Sequence, residues 1–237
     1  MNKRNLLLLS SSRSATTGFL EACDAEIRET LGTIKRAVFI GYAVVGDESH
    51  ARLHMVDQRL AEFGVSLEHI TVSADPVAAI ESAEAVLVSG GNTYCLLDGL
   101  YRNAVLDPLR RRIAEGMPYI GWSAGSNVAG ATICTTNDMP IIQPPSFRAI
   151  GAVPFQLNPH FTDAMPPGHR GETREDRLRE YLALHRDGRV VGIAEGGALR
   201  VQGDSMRLCG EHDGWLFRHG EPRIRLAAGK DISYLLD

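Results

Sequence analysis

No long apolar run opens this sequence: its one strongly apolar start, Leu6–Leu9, is four residues long, far short of a signal-peptide core of about 7–15 residues or a membrane-spanning helix of roughly 20. It reads as a buried first strand, and the expected setting is cytoplasmic. Cysteine is scarce and scattered. Cys23, Cys95, Cys134 and Cys209 form no C-x-x-C pair, which excludes a disulfide framework and a cysteine zinc site and leaves reduced, mostly buried thiols. Positive charge is not in surplus either. With 25 Lys and Arg against 29 Asp and Glu, the chain has no excess with which to neutralise a phosphate backbone, so nucleic acid is not an expected partner. No repeat, low-complexity tract or linker interrupts the 237 residues, and a single domain over 1–237 is expected. What is present is the 44% apolar and 23% charged balance of an ordinary packed protein.

Short apolar runs alternate with longer helical patterns, the signature of βαβ units around a largely parallel sheet. The expected strands are Leu6–Leu9, Ala37–Ile40, Ser66–Val72, Ala85–Val88, Tyr119–Trp122 and Val190–Ile193. Helical spacing of apolar residues, as in Leu53, Val56, Leu60 and Phe63, marks Ala51–Phe63 as an amphipathic helix. Tyr94–Tyr101, Ala104–Glu115 and Arg174–Leu184 read the same way. Beyond residue 195 the pattern shifts to short strands at Ala198–Gln202, Met206–Cys209, Trp215–Arg218 and Arg223–Leu226, an antiparallel edge to the sheet. Two irregular stretches, Met139–Pro145 and Asn158–Gly171, are long enough to suggest function.

Gly121-Trp122-Ser123-Ala124-Gly125 is a G-x-S-x-G motif between an apolar strand and a small-residue helix, the context of a nucleophile elbow. A serine there stands exposed on a strained turn at the carboxyl end of a sheet, and the following helix start aims free N–H groups at any charge that develops. A plain glycine-rich turn would carry the same five residues. A second turn, Ser89-Gly90-Gly91-Asn92-Thr93, also follows a strand. The N–H of Gly91 beside that of Ala124 would make an oxyanion hole, with Asn92 either an ordinary helix cap or a substrate contact.

A serine hydroxyl needs a base, and histidine suits that task near neutral pH. Six histidines, His50, His54, His69, His185, His212 and His219, lie in expected helices or polar surface. His160, in Leu157-Asn158-Pro159-His160-Phe161, closes an apolar run and enters a long loop; His169 in the same loop is the reserve. The orienting carboxylate is either Asp138, before a proline, or Glu195, ahead of Gly196-Gly197, and spacing leaves the choice open.

Taken in order, these segments resemble the peptidase E family of aspartyl dipeptidases, related to the cyanophycinases. The likeness runs from Leu6–Ser10 through Val88–Thr93 and Tyr119–Gly125. It continues through Thr135–Pro140, Leu157–Thr162, Gly168–Glu175 and Gly192–Gly196. It departs at Ile40–Ala43, where the family carries proline and phenylalanine, and after Gly203. The resemblance implies a three-layer α/β/α fold with a mostly parallel, flavodoxin-like or glutamine-amidotransferase-like sheet. It implies Ser123 as nucleophile, His160 as base, Asp138 or Glu195 as acid, and Arg174 as the group that binds an N-terminal aspartate side chain. The expected reaction is hydrolysis of Asp-X dipeptides through an acyl-enzyme, with no metal or organic cofactor. The expected partner is a small peptide, a homodimer is left open, and no membrane is involved. The rival readings are a cyanophycinase-like or isoaspartyl-peptide hydrolase and a non-catalytic, amidotransferase-like ligand-binding domain.

Overall fold

The computed structural model describes residues 3–46, 49–165, 167–168 and 170–237, and of residues 49 and 50 the backbone alone. Its main sheet has seven strands. They are β1 (Asn5–Leu9), β2 (Arg36–Ile40), β3 (Ser66–His69), β4 (Val86–Val88), β5 (Tyr119–Trp122), β8 (Ala198–Gln202) and β9 (Ser205–Cys209), in the order β3-β2-β4-β5-β1-β8-β9. The first five run parallel, while β8 lies antiparallel to β1 and β9 antiparallel to β8.

Period-two alternation explains why the strands are apolar throughout: both faces are covered. Leu6, Leu8, Val38, Ile40, Val86 and Val88 point to one face, where they meet Ile80 of α3 (Pro76–Ser82), Leu96 and Leu100 of α4 (Thr93–Arg102) and Leu109 and Ile113 of α5 (Leu106–Ala114). Leu7, Leu9, Phe39 and Leu87 point to the other, against Ile27 and Leu31 of α1 (Asp24–Leu31) and Val56 and Leu60 of α2 (Ser49–Glu62). Three layers result. Each fully buried leucine here contributes about 1.5–3 kcal/mol.

A second sheet of four strands, in the order β11-β10-β7-β6, holds β6 (Gln156–Asn158), β7 (Arg189–Gly192), β10 (Gly214–Arg218) and β11 (Ile224–Leu226). This amends the expected layout. The strand at 190–193 pairs with β6 and β10 rather than joining the main sheet, and of the C-terminal strands only β8 and β9 form its antiparallel edge. The small sheet is backed by α7 (Arg174–Leu184), whose Leu178 and Leu182 pack with Phe161, Val190 and Phe217. The segment expected as strand 66–72 stops at His69 and turns into a short 3-10 helix, Ile70–Val72. Among the described residues no helix is long and apolar enough to cross a membrane.

Candidate active site

Ser123 follows β5 directly, at the carboxyl end of the parallel strands, where open α/β sheets bind their ligands. Its backbone sits at φ 53°, ψ −112°, a conformation that a side-chain-bearing residue rarely adopts, and its N–H is held by Leu9 O at 3.1 Å. The neighbours explain how the turn persists. A Cβ on Gly121 would meet Gly125 O at 2.5 Å, and one on Gly125 would meet Val88 O at 2.2 Å, so only glycine fits at either motif position. The buried Ser126 hydroxyl reaches both Leu9 O and Gly121 O, at 2.6 and 2.8 Å, and rivets the elbow to β1 and β5. The helix that follows, α6 (Ala124–Asn127), is a single turn. It therefore offers the unpaired N–H of its first residue, Ala124, rather than a long macrodipole.

The glycine turn after β4 lies against this elbow: a Cβ on Gly90 would come within 3.0 Å of Ser123 Cβ. Gly91 has φ 136°, and its missing Cβ would fall 2.2 Å from Ala43 O. The segment where the sequence departs from the family pattern is thus the backing of this turn, since Ala43 O also accepts the Asn92 N–H at 2.8 Å. Tyr42 packs behind, against Gly99 of α4, and burial pushes its phenol up to about 12.

His160 Nε2 lies 2.9 Å from Ser123 Oγ, and His160 Nδ1 lies 2.9 Å from Glu195 Oε1. With Nδ1–H donating to the carboxylate, Nε2 is left to accept the serine proton. Serine and histidine are both half-buried; the Glu195 side chain is 57% exposed. The loop that carries His160 is pinned at several points. Ser10, wholly buried at the end of β1, accepts the His160 N–H and donates its hydroxyl proton to Ile193 O, each at 2.8 Å. Asn137 donates to Pro159 O at 3.0 Å, and Asn158 donates to Thr135 O at 2.9 Å. These bonds hold His160 at φ 56°. Ser10 was not singled out from sequence; the available signal was a hydroxyl residue set immediately beyond a buried strand at the sheet's carboxyl end.

Two expected site residues are placed elsewhere. Asp138 does not touch His160. Its carboxylate accepts from the N–H and the hydroxyl of Thr93, at 2.8 and 2.5 Å, neutralising the start of α4 where the helix dipole favours negative charge. Asn92 uses its side chain in the turn: Oδ1 caps the Cys95 N–H and one Nδ2 hydrogen goes to Met139 O. His169, the reserve base, lies outside the described residues.

Two clefts meet at the histidine. One, of about 700 Å³, is bounded by Ser11–Ala15, Phe39, Leu53, Ser89–Gly91, Trp122, Ser123, His160 and Glu195. The other, of about 600 Å³, shares His160 and Glu195 and is closed by Thr16, Thr162, Arg174 and His212. Arg174 is the first residue of α7. Its position is set by a capping box in which Thr173 and Asp176 exchange bonds at 3.0 and 2.9 Å. The carboxylates beside it in sequence are engaged, Glu172 with Arg177 and Glu175 with Arg179 and Arg223. Among the described residues none forms an ion pair with Arg174. Burial and the nearby Arg177 lower its pKa, and the Glu195 charge opposes them. Among the described residues no three His, Cys, Asp or Glu side chains gather as a metal site.

Comparison with known proteins gives the family. The sequence model of peptidase family S51 covers residues 6–209. A protein named peptidase E from Shewanella denitrificans is 46% identical over 232 residues, 98% of this chain and 99% of that one. A second, from Shewanella amazonensis, is 45% identical over 230 residues, spanning 97% and 98% of the two chains. The crystal structure of a peptidase from an acI-B1 Actinobacterium superposes with a TM-score of 0.71 at 19% identity, covering 98% of this chain and 97% of that one, which speaks for the fold. With the family model spanning most of its length and near-full-length relatives at this identity, the chain belongs to peptidase family S51 and is a serine peptidase.

Proposed function

We propose that this peptidase cleaves dipeptides with an N-terminal aspartate, through an acyl-enzyme on Ser123. Nε2 of His160 takes the serine proton as Oγ attacks the peptide carbonyl, and the N–H groups of Gly91 and Ala124 receive the developing oxyanion. Glu195 holds the imidazole tautomer and offsets its positive charge. The proton then passes to the departing amine, and water, activated by the same histidine, releases aspartate.

The observation that carries the aspartate preference is Arg174. A half-buried guanidinium that forms no ion pair among the described residues, on a cleft wall shared with His160, favours an anionic ligand group that can take two parallel hydrogen bonds. Asparagine offers that fork no charge, and glutamate is longer by one methylene. The relatives named peptidase E are consistent with this choice. The test is a panel of Asp-Leu, Glu-Leu, Asn-Leu and β-Asp-Leu with the wild type, Ser123→Ala and Arg174→Ala. Selective turnover of Asp-Leu, abolished by Ser123→Ala and impaired by Arg174→Ala with folding intact, is expected. Preference for the β-linked peptide would replace this reading with an isoaspartyl or cyanophycinase-like one. A cytoplasmic setting accords with four free thiols.

A further inference from the structure

The larger cleft carries a feature that neither the nucleophile nor the aspartate pocket uses. Ser123, Gly91 and His160 line it together with Arg52, Leu53, Met55 and Val56 of α2, and Arg174 does not. Its floor is apolar and aromatic. Trp122 stands edge-on to Phe19, with ring centroids 5.9 Å apart, and stacks on Phe39 at 6.0 Å, while Leu53 lines the same wall.

Arg13, on the loop after β1, lines the same cleft. Among the described residues its guanidinium contacts only weak partners: an N–H donates to the thioether sulfur of Met55 at 2.9 Å, and its central carbon lies 6.0 Å from the Phe19 ring centroid. A thioether is a poor acceptor and leaves most of the five N–H donors of an arginine unused. Among the described residues no carboxylate pairs with Arg13, and Glu195, the acid on this cleft, is bonded to His160. A cleft that joins Ser123, an apolar floor and an arginine unpaired among the described residues has the chemistry of a short apolar segment followed by an anion.

We infer that this cleft holds the leaving residue of the dipeptide, with an apolar side chain against Trp122 and Leu53 and the free C-terminal carboxylate on Arg13. The inference rests on the dipeptidase reading above and extends it to the other half of the substrate. With the acyl half directed to the Arg174 cleft, the amine that His160 protonates departs toward Arg13. The arrangement also accounts for preference for two-residue substrates: a third residue would replace the carboxylate by a neutral amide and leave Arg13 without its anion.

The experiment compares kcat/KM for Asp-Leu with that for Asp-Leu amide, in the wild type, Arg13→Gln and Arg13→Lys, with thermal melts as the folding control. The wild type is expected to favour the free acid by about tenfold, the scale of one charge-assisted pair at a partly solvated site. Arg13→Gln is expected to bring the acid-to-amide ratio near one through a raised KM for the acid, and Arg13→Lys to lie between. A wild type indifferent to the carboxylate, or an Arg13→Gln enzyme with the wild-type ratio, overturns the inference. Equal loss on both substrates also overturns it, because it would place Arg13 on the acyl half. If the panel selects a different N-terminal residue, the aspartate reading falls, and the same ratio read on that residue tests Arg13 independently.

Discussion

Replacing Glu195 by glutamine keeps the shape of the group on His160 and removes its charge. In the proposed reaction the imidazole carries a full positive charge as Ser123 attacks, with the carboxylate 2.9 Å from Nδ1. Unit charges about 4 Å apart interact by about 1 kcal/mol in water and about 4 kcal/mol at an effective dielectric near 20. The side chains of Glu195 and His160 are 57% and 35% exposed, which places the pair nearer the watery limit. About 1.4–2.8 kcal/mol of transition-state stabilisation follows, a ten- to hundredfold loss of kcat/KM on Asp-Leu. A solvated pair holds little folding energy, so the melting temperature should stay close to wild type. Asp138→Asn is the contrasting variant. It weakens the bonds to Thr93, so any loss of activity should come with a lower melting temperature. Full activity in Glu195→Gln, or a large rate loss in Asp138→Asn without loss of stability, would refute this assignment of the two acids.

Ser10→Ala should strand the His160 N–H in a buried site, while Ile193 O keeps the Phe161 N–H, destabilising the fold by about 1–3 kcal/mol and lowering kcat/KM, as denaturant titration and the Asp-Leu assay would show. Gly91→Ala forces a Cβ onto Ala43 O in a positive-φ conformation and should cost about 3 kcal/mol or more, measurable by urea unfolding or as failure to accumulate folded protein. Burial pushes the Cys23 thiol up to about 12 and that of Cys209 to about 11, leaving almost no thiolate at pH 8. An aromatic disulfide reagent at that pH should therefore titrate exposed Cys134 promptly and reach Cys23 and Cys209 only after unfolding.

The strands of the main sheet are legible because burial on both faces makes runs such as Leu6–Leu9 apolar without interruption. The same property hides sheet membership: the Val190-Val191 run reads like a central strand, yet it belongs to the smaller sheet, a matter of long-range pairing that local pattern does not carry. Helix α1 buries only Ile27, Thr30 and Leu31 over eight residues and has no side-chain cap, so its periodicity is faint. Helix α3 did carry a start signal, Asp75 capping the Ala78 N–H ahead of Pro76. Ser123 and His160 stand out because an elbow and a loop entry have sequence signatures. The choice of Glu195 over Asp138 as the partner of His160 depends on two loops, 35 residues apart in sequence, meeting in space.

Ser123 and the glycine turn ride on the seven-stranded sheet, whereas His160 and Glu195 emerge from the ends of β6 and β7 in the four-stranded one. The contact between Ser123 and His160 therefore lies at a joint between two separately paired sheets, which share one apolar core and are bridged by the Ser10 hydroxyl and the Asn127 amide. Catalysis becomes a gauge of their alignment: a slip of about 1 Å would open the contact between serine and imidazole while both sheets stayed internally intact. Mild denaturant should accordingly silence the enzyme before spectroscopic signals of secondary structure begin to fall.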